Sequence, residues 1–273
     1  MLKDVTFGQY YPGNSLLHRT DPRIKMIMMI EYLVLILLLH SVYAVLLGLA
    51  LTAFLLISSG VRLSVLIKSV KPLIFVLIFT AIINLFFTSA EGEPLVQWGF
   101  IKIYYMGIRN AVMMLIRLLS LVLGTSVLIS FTTSPLELTD SIESLLSPLK
   151  RIKVPVHEFA MMMSIALRFI PTLIEETDKI MSAQKARGAD MESGGLVRRV
   201  KALIPILIPL FVSSFRRAYD LAMAMECRCY RGGEGRTRMK QLTLRWSDWF
   251  AMLLIGAVIA LLIVLNHFLP KVI

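Results

Sequence analysis

The chain is poor in charged residues, and this shortage argues against an ordinary soluble domain. Only 17% of its 273 residues are Asp, Glu, Lys or Arg, whereas 57% are hydrophobic. Soluble domains carry about 25% charged and about 45–50% apolar residues. The mean hydropathy of the chain is +0.74, which points the same way. The composition therefore predicts an integral membrane protein.

Cysteine and histidine are also scarce, and the usual enzyme motifs are missing. The two cysteines, Cys227 and Cys229, are too close together for an ordinary disulfide, and the four histidines are scattered along the sequence. We therefore expect no metal site. The sequence contains no Walker-type glycine loop, no His-Glu-x-x-His motif and no convincing set of nucleophile, base and orienting residue. We expect neither a cofactor nor catalytic activity in this chain.

Five apolar stretches approach the length that crosses a bilayer, which is about 20 helical residues and about 17 at the least. They are residues 24–39, 42–57, 70–87, 107–130 and 249–269. Only His40 and Ser41 separate the first two, which predicts a tight helical hairpin. Glu31 and Arg117 lie within these stretches. Such charges indicate an inward-facing position or a partner, and for Glu31 snorkelling from a short helix is an equal alternative.

The distribution of lysine and arginine predicts the orientation in the membrane. Cytoplasmic loops carry an excess of these residues, and the region 132–245 holds 18 of the 29 in the chain. By contrast, the loop 88–106 has a single lysine, and so does the segment after the last span. We expect a multi-pass protein of the cell membrane with its N-terminus and the region 132–245 in the cytoplasm and its C-terminus outside. The net charge of +11 then reflects orientation and membrane lipid rather than nucleic acid.

This pattern divides the chain into three segments. Residues 1–131 form a membrane domain of four spans, residues 132–245 form a cytoplasmic domain, and residues 246–273 form a last transmembrane helix. The predicted fold class is an all-α polytopic membrane protein with about five transmembrane helices and three cytoplasmic or interfacial helices.

The three interfacial helices are predicted at 134–149, 155–188 and 196–225. Two of them contain apolar runs, 159–174 and 202–215, which are too short or too interrupted to span a bilayer. Such runs are typical of interfacial or re-entrant segments. Their internal prolines should kink them. A methionine cluster in the first run is either ordinary packing or a surface that accepts more than one partner.

Each of the two longer helices ends at an arginine between small residues. The two motifs are Ala186-Arg187-Gly188 and Cys227-Arg228-Cys229, and a glycine-rich loop follows each of them. One interpretation is a simple helix cap, because arginine meets the negative end of the helix dipole and glycine is the common capping residue. The repetition favours a second interpretation, in which the two motifs are matched contacts for a two-lobed soluble partner.

Several motifs resemble those of the transmembrane T component of energy-coupling-factor (ECF) transporters, the EcfT/CbiQ family. They are Leu-Arg-Phe-Ile-Pro-Thr-Leu-Ile-Glu-Glu at 167–176, Ala-Gln-Lys-Ala-Arg-Gly at 183–188, Ala-Met-Glu-Cys-Arg-Cys-Tyr at 224–230 and the segment 11–25 around Asp-Pro-Arg. The resemblance covers essentially the whole chain. Its pattern is closer to the shared type, in which one T component serves several vitamin-binding subunits.

The resemblance implies a non-catalytic scaffold with two kinds of partner. Two cytoplasmic ABC-type ATPase subunits would dock on Ala186, Arg187, Gly188, Cys227, Arg228 and Cys229. An exchangeable membrane protein that binds the substrate, the S component, would lie on the apolar runs. The residues expected to face it are Phe159, Met162, Met163, Ala166, Ile170, Pro171, Ile204, Pro205, Ile208, Pro209 and Val212. ATP-driven movement of the ATPases would then drive vitamin or micronutrient uptake.

The second arginine motif departs from the family pattern, which is usually Ala-Arg-Gly. Without glycine after Arg228, the left-handed capping position would be strained, and we expect the cap to move onward to Gly232. The alternative to the whole interpretation is a self-contained integral membrane protein, such as a secondary transporter or a membrane-bound enzyme. That class predicts inverted repeats and interrupted helices at the bilayer centre, whereas the paired prolines of this chain lie in the segment 132–245.

Overall fold

The computed structural model describes residues 10–87, 96–98, 101–189, 195–232, 244 and 246–268. They fall into two compact units. One contains the described residues between 8 and 138 together with those after 240, and the other contains the described residues between 139 and 240. The helices of both units confirm the predicted all-α polytopic membrane fold.

The first unit is a bundle of apolar helices. In chain order it contains α1 (Leu16–Arg19), α2 (Pro22–Leu38), α3 (Val42–Ser59), α4 (Leu63–Val70), a 3-10 turn at Lys71–Leu73, α5 (Ile74–Phe87), β1 (Val96–Trp98), β2 (Ile101–Ile103), α6 (Tyr105–Thr125), a π-helical segment at Ser126–Phe131 and α10 (Trp246–Phe268). The two strands form a small antiparallel hairpin, which the sequence analysis did not predict. The tight hairpin of α2 and α3 around His40 and Ser41 is confirmed.

The second unit contains most of α7 (Pro135–Leu145), a 3-10 segment at Ser147–Ile152, α8 (Val156–Ala186) and α9 (Leu196–Cys227). The N–H of Glu137 donates to the side-chain oxygen of Ser134 at 3.3 Å, and the N–H of Ser134 donates to the carboxylate of Glu137 at 3.4 Å. These two bonds form a capping box at the start of α7. In the second unit, the ring Nδ1 of His157 lies 2.8 Å from a carboxylate oxygen of Glu143 and ties α8 to α7.

Five stretches of the described helices are long and apolar enough to cross a membrane. They are Val42–Ser59, Leu63–Phe87, Tyr105–Phe131, Val156–Ala186 and Val200–Cys227. The first three contain the predicted spans 42–57, 70–87 and 107–130. The predicted spans 24–39 and 249–269 correspond to α2, which has 17 residues, and to α10, which has 23. Residue 269 lies outside the described residues.

The last two of these stretches confirm the two longer predicted helices, 155–188 and 196–225, because the runs 159–174 and 202–215 are parts of α8 and α9, which have 31 and 32 residues. By length and composition both helices could also cross a membrane, which was not expected of their apolar runs. Both helices continue through their internal prolines, Pro171, Pro205 and Pro209. Both stretches are markedly less hydrophobic than the other three. Their location at the membrane surface stays a prediction.

A polar contact holds the centre of the first unit together. The buried hydroxyl of Tyr32 on α2 donates to the carbonyl of Ser120 on α6 at 2.7 Å and lies 2.7 Å from the hydroxyl of Thr52 on α3. The Tyr32 ring crosses α6 at Gly124, where an added Cβ would lie 2.4 Å from ring atoms. Glycine at this position therefore lets the two helices approach closely.

The charged residues of the first unit have specific places. Arg117 on α6 donates to the carbonyl of Leu39, beyond the C-terminus of α2, where positive charge is favourable. Asp21 caps α2 by accepting from the N–H of Arg23 at 2.9 Å. The N–H of Asp21 in turn donates to the carboxylate of Asp248 at 3.2 Å, which ties the start of α10 to the start of α2.

Candidate functional site

The two arginines occupy the same backbone position at the ends of α8 and α9. Arg187 is the C-cap of α8, with φ −84° and ψ 7°. Arg228 is the C-cap of α9, with φ −93° and ψ 14°. Each arginine therefore lies at the C-terminal end of its helix, immediately before the chain changes direction.

The turns that follow are also matched. After α8, the N–H of Gly188 donates to the carbonyl of Lys185 and the N–H of Ala189 donates to that of Gln184, both at 3.0 Å. After α9, the N–H of Cys229 donates to the carbonyl of Glu226 at 2.8 Å and the N–H of Tyr230 donates to that of Met225 at 3.1 Å. These are the two bonds of a Schellman motif, in which the residue after the cap adopts a left-handed conformation.

Cys229 adopts that left-handed conformation itself, with a φ of +56°. Its counterpart Gly188 has a φ of +83°. The expectation that the cap would move onward to Gly232 is therefore wrong, although Gly232 has a positive φ of its own. The hydrogen bonds of the Schellman motif hold Cys229 in a conformation that glycine adopts more readily. The two arginine motifs thus differ in sequence but share one backbone geometry.

Both motifs are open to solvent in the isolated chain. Ala186, Arg187 and Gly188 are exposed, and so are the corresponding residues of the second motif, Cys227, Arg228 and Cys229. Neither guanidinium makes an ion pair with another described residue. An exposed guanidinium can bind a carboxylate or phosphate through two parallel hydrogen bonds. The two tips can therefore serve as docking groups for acidic partners.

A polar contact joins α8 to α9 about three helical turns before the two arginine tips. Arg217 on α9 donates to a carboxylate oxygen of Glu176 on α8 at 2.6 Å. The hydroxyl of Ser213 donates to the other oxygen of this carboxylate at 2.9 Å. The same guanidinium lies 6.0 Å from the ring centroid of Phe169, within cation–π range. We call the contact of Arg217 and Ser213 with Glu176 the crossing contact.

The segments of α8 and α9 between the crossing contact and the two arginines, which we call the arms, are equal in length. Arg187 lies 11 residues after Glu176, and Arg228 lies 11 residues after Arg217. At 1.5 Å per residue, each arm is about 16 Å long. This contact was not predicted from the sequence, because its members are 37 and 41 residues apart and belong to different helices. The one available signal was a Glu-Glu pair on one helix and an Arg-Arg pair on the other.

The apolar residues expected to face the S component all belong to α8 and α9. Ile170 is half-buried, and the other ten are exposed: Phe159, Met162, Met163, Ala166, Pro171, Ile204, Pro205, Ile208, Pro209 and Val212. Phe211 and Phe215 belong to the predicted run 202–215 but were not named among these residues; both are exposed, and their rings meet edge-to-face at 4.8 Å. Their spacing of four residues on one helix face was the available signal. On both helices, the expected residues precede the crossing contact, whereas the arginines follow it.

The described residues contain no group of three or more His, Cys, Asp or Glu that could hold a metal ion. Cys227 and Cys229 are free and exposed. The fold and the site together define a class: a polytopic membrane protein that carries two long helices with matched, solvent-exposed arginine tips.

The family follows from comparison with known proteins. The model of the CbiQ family, described as cobalt transport protein, matches residues 13–239, which is most of the chain. Curated proteins named energy-coupling factor transporter transmembrane protein EcfT are similar over nearly their whole length. The protein from Ruminiclostridium cellulolyticum is 54% identical over 248 residues, which cover 91% of this chain and 92% of the relative.

Two further relatives with the same name extend this similarity to both ends. The Acidaminococcus fermentans protein is 50% identical over 99% of this chain and 100% of the relative. The Bacillus subtilis protein is 46% identical over 97% of this chain and 100% of the relative. The chain belongs to the CbiQ/EcfT family of energy-coupling factor transporter transmembrane proteins.

Proposed function

We propose that this chain is the scaffold and coupling subunit of an ECF transporter for vitamins or other micronutrients, and that it carries no catalytic step of its own. Two cytoplasmic ABC-type ATPases dock on the tips of α8 and α9, and a separate membrane protein, the S component, holds the substrate. The observation that carries the proposal is the match between the two tips: the same C-cap position, the same Schellman bonds and the same distance from the crossing contact.

The matched tips suit a pair of similar partners better than two unrelated ones. Each guanidinium stands at the end of a helix, where no described residue neutralises it. An acidic groove on each ATPase could take it up in the two-bond geometry that arginine prefers. Losing one partner of a buried charged pair costs about 2–5 kcal/mol, because the other charge remains buried and unpaired. Two such contacts would hold two ATPases in a fixed relation.

The exposed apolar surface of α8 and α9 supports the second partner. Its residues precede the crossing contact on both helices, and the arginines follow it. If the crossing contact keeps the helices together, movement of the arms by the ATPases reaches the apolar surface. The S component on that surface would then change its position and release the substrate inward. Substrate identity belongs to the S component.

The proposed docking is tested by co-purification. We expect Arg187→Ala and Arg228→Ala each to weaken ATPase retention and uptake while the chain remains folded in the membrane. Arg→Lys at either site should also be harmful, since lysine lacks the planar fork. Lys179→Ala and Arg231→Ala remove a nearby exposed charge and serve as controls. Full retention and uptake in the double Arg→Ala variant would overturn the proposal.

The S-component surface has its own test. Ile208→Lys places a charge on an exposed apolar position of α9, whereas Ile206→Lys places one at a buried position with 3% exposure. We expect the first variant to lose the S component and keep the ATPases, and the second to misfold and lose both. If Ile208→Lys keeps its S component, the proposed surface is incorrect.

We also propose that the N-terminus and the segment 132–245 are cytoplasmic and that the C-terminus is outside. The division of the chain into segments 1–131, 132–245 and 246–273 belongs to this proposal. Cys227 and Cys229 are the two cysteines of the chain, and both are exposed. In cells that express this chain without the ATPases, a membrane-impermeant maleimide should label them in inside-out vesicles and not in intact cells. In a variant with serine at both positions, Val272→Cys should give the opposite result, and any other pattern contradicts this topology.

A further inference from the structure

A cavity of about 450 Å³ lies in the first unit, where α1, α2, α3 and α10 meet. Its deepest residues belong to the buried core: Met28 is 0% exposed, Leu55 is 3% and Ile255 is 9%. Its rim is formed by large apolar side chains that are exposed, namely Leu16, Phe54 and Phe250. The cavity therefore begins at an apolar surface and reaches into the helix bundle.

The cavity lies near the end of the bundle that faces the cytoplasm in the proposed topology. α2 begins at Pro22, α10 begins at Trp246, and the Asp21–Asp248 contact ties these two starts together. Met28 is six residues into α2 and Ile255 is nine residues into α10. At 1.5 Å per residue, the floor of the cavity lies about 9–14 Å from the helix ends. This depth falls within one leaflet of a hydrocarbon core about 30 Å thick.

The chemistry of the cavity is apolar inside and basic at the edge. Arg19 lines it and is exposed, and none of the other described residues that line it is charged. The neighbouring hydroxyl of Thr20 is already bonded to the carbonyl of Leu16 at 3.0 Å. Trp246 and Trp249, at the start of α10, are 92% and 50% exposed. Exposed tryptophans at a helix end are typical of the membrane–water interface.

We propose that this cavity binds an anionic phospholipid of the inner leaflet, with an acyl chain against Met28, Leu55 and Ile255 and the phosphate group beside Arg19. An apolar cavity that opens towards a bilayer is filled most readily by an acyl chain, because an empty one lacks dispersion contacts. A basic residue at the headgroup level selects anionic lipid. This site uses none of the residues proposed to dock the ATPases or the S component.

Lipid retention provides the test. The complex is reconstituted in nanodiscs of equal parts phosphatidylglycerol and phosphatidylcholine, extracted into detergent, and its retained lipid measured by mass spectrometry. Wild type should retain phosphatidylglycerol preferentially. Ser58→Trp and Ala251→Phe fill the cavity from α3 and α10, and each should lower retention of both lipids several-fold. Arg19→Gln should lower the preference for phosphatidylglycerol about fivefold and leave phosphatidylcholine retained.

Matched controls separate this site from general lipid binding. Ile57→Trp adds the same side chain at the adjacent, 81% exposed position of α3. Arg62→Gln removes an exposed arginine of the same unit that does not line the cavity. Neither control should change retention, and ATPase co-purification reports that each variant is folded. Unchanged retention in both cavity-filling variants, or equal loss in the controls, would overturn the proposal.

A cross-link identifies the occupant directly. A photoreactive benzoylphenylalanine in place of Phe54, at the rim of the cavity, should form an adduct with phospholipid. An adduct with a polypeptide would show that a protein segment occupies the cavity and would overturn the proposal. An adduct with phosphatidylcholine and phosphatidylglycerol in equal yield would contradict the role of Arg19.

Discussion

Because Cys229 adopts a left-handed conformation that glycine adopts in the other motif, exchanging these residue types should change the stability of the two helix ends in opposite directions. A non-glycine residue in this conformation costs about 1–2 kcal/mol. Glycine removes that cost but destabilises the folded state by about 0.5–1 kcal/mol, because the unfolded chain gains conformational freedom. Because Cys229 is exposed and its thiol is free, Cys229→Gly loses little packing. We expect this substitution to stabilise the last turn of α9 by about 0.5–1 kcal/mol.

The reverse change at the other tip is the matched experiment. Gly188 has a φ of +83°, and no atom lies within 4 Å of the position that its Cβ would take. The effect of Gly188→Ala is therefore confined to the backbone. We expect it to destabilise the last turn of α8 by about 1 kcal/mol. Cys229→Ala keeps the Cβ and removes the thiol, and should leave the end of α9 unchanged.

Hydrogen exchange measures both effects locally. In the Schellman motif, the N–H of Tyr230 is bonded to Met225 and that of Ala189 to Gln184. Exchange of the Tyr230 amide should slow about two- to fivefold in Cys229→Gly, and exchange of the Ala189 amide should accelerate by a similar factor in Gly188→Ala. Equal exchange in Cys229→Gly and Cys229→Ala would refute the assignment of strain to this residue. ATPase docking should change little in Cys229→Gly, since the backbone already has the geometry that glycine would adopt.

Three further predictions concern contacts between helices. In a double-mutant cycle, Glu176→Gln and Arg217→Gln should show a coupling free energy of about 1 kcal/mol by thermal unfolding, and additive effects would contradict the crossing contact. Gly124→Ala should lower the yield of folded protein, because its Cβ would lie 2.4 Å from the Tyr32 ring; a wild-type melting temperature would argue against the close approach. Tyr32→Phe should cost about 1 kcal/mol of stability through the lost bonds to Ser120 and Thr52, and no loss in a thermal unfolding assay would exclude this role.

Much of the helical framework could be predicted from the sequence, because its signals are local. The apolar runs and the small residues around each arginine placed the ends of α8 and α9 within two residues of the observed bounds. The linker at His40 and Ser41 followed from span length alone. Each of these patterns involves only neighbouring residues, so it can be recognised in a single sequence.

The crossing contact and the cap of α9 could not be predicted, for different physical reasons. Glu176 and Arg217 meet only because two helices pack in a particular register, which hydrophobic periodicity does not determine. Cys229 was expected to avoid a strained conformation. The two hydrogen bonds of the Schellman motif at the end of α9 oppose that local preference. The conformational preference of a single residue is therefore a poor guide where the backbone hydrogen bonds of a helix end oppose it.

The arrangement of α8 and α9 favours transmission of movement through the crossing contact. Each arm from that contact to its arginine has 11 residues and no proline, so both arms should be stiff and of equal reach. The prolines of both helices, at 171, 205 and 209, lie on the other side of the contact, among the apolar residues. Helices yield most easily at proline, because a backbone hydrogen bond is missing there. We infer that a symmetric displacement of the two arginine tips would be transmitted to the apolar surface with little bending of the arms. Adaptation to different S components would then occur in the proline-containing parts of α8 and α9, before the crossing contact.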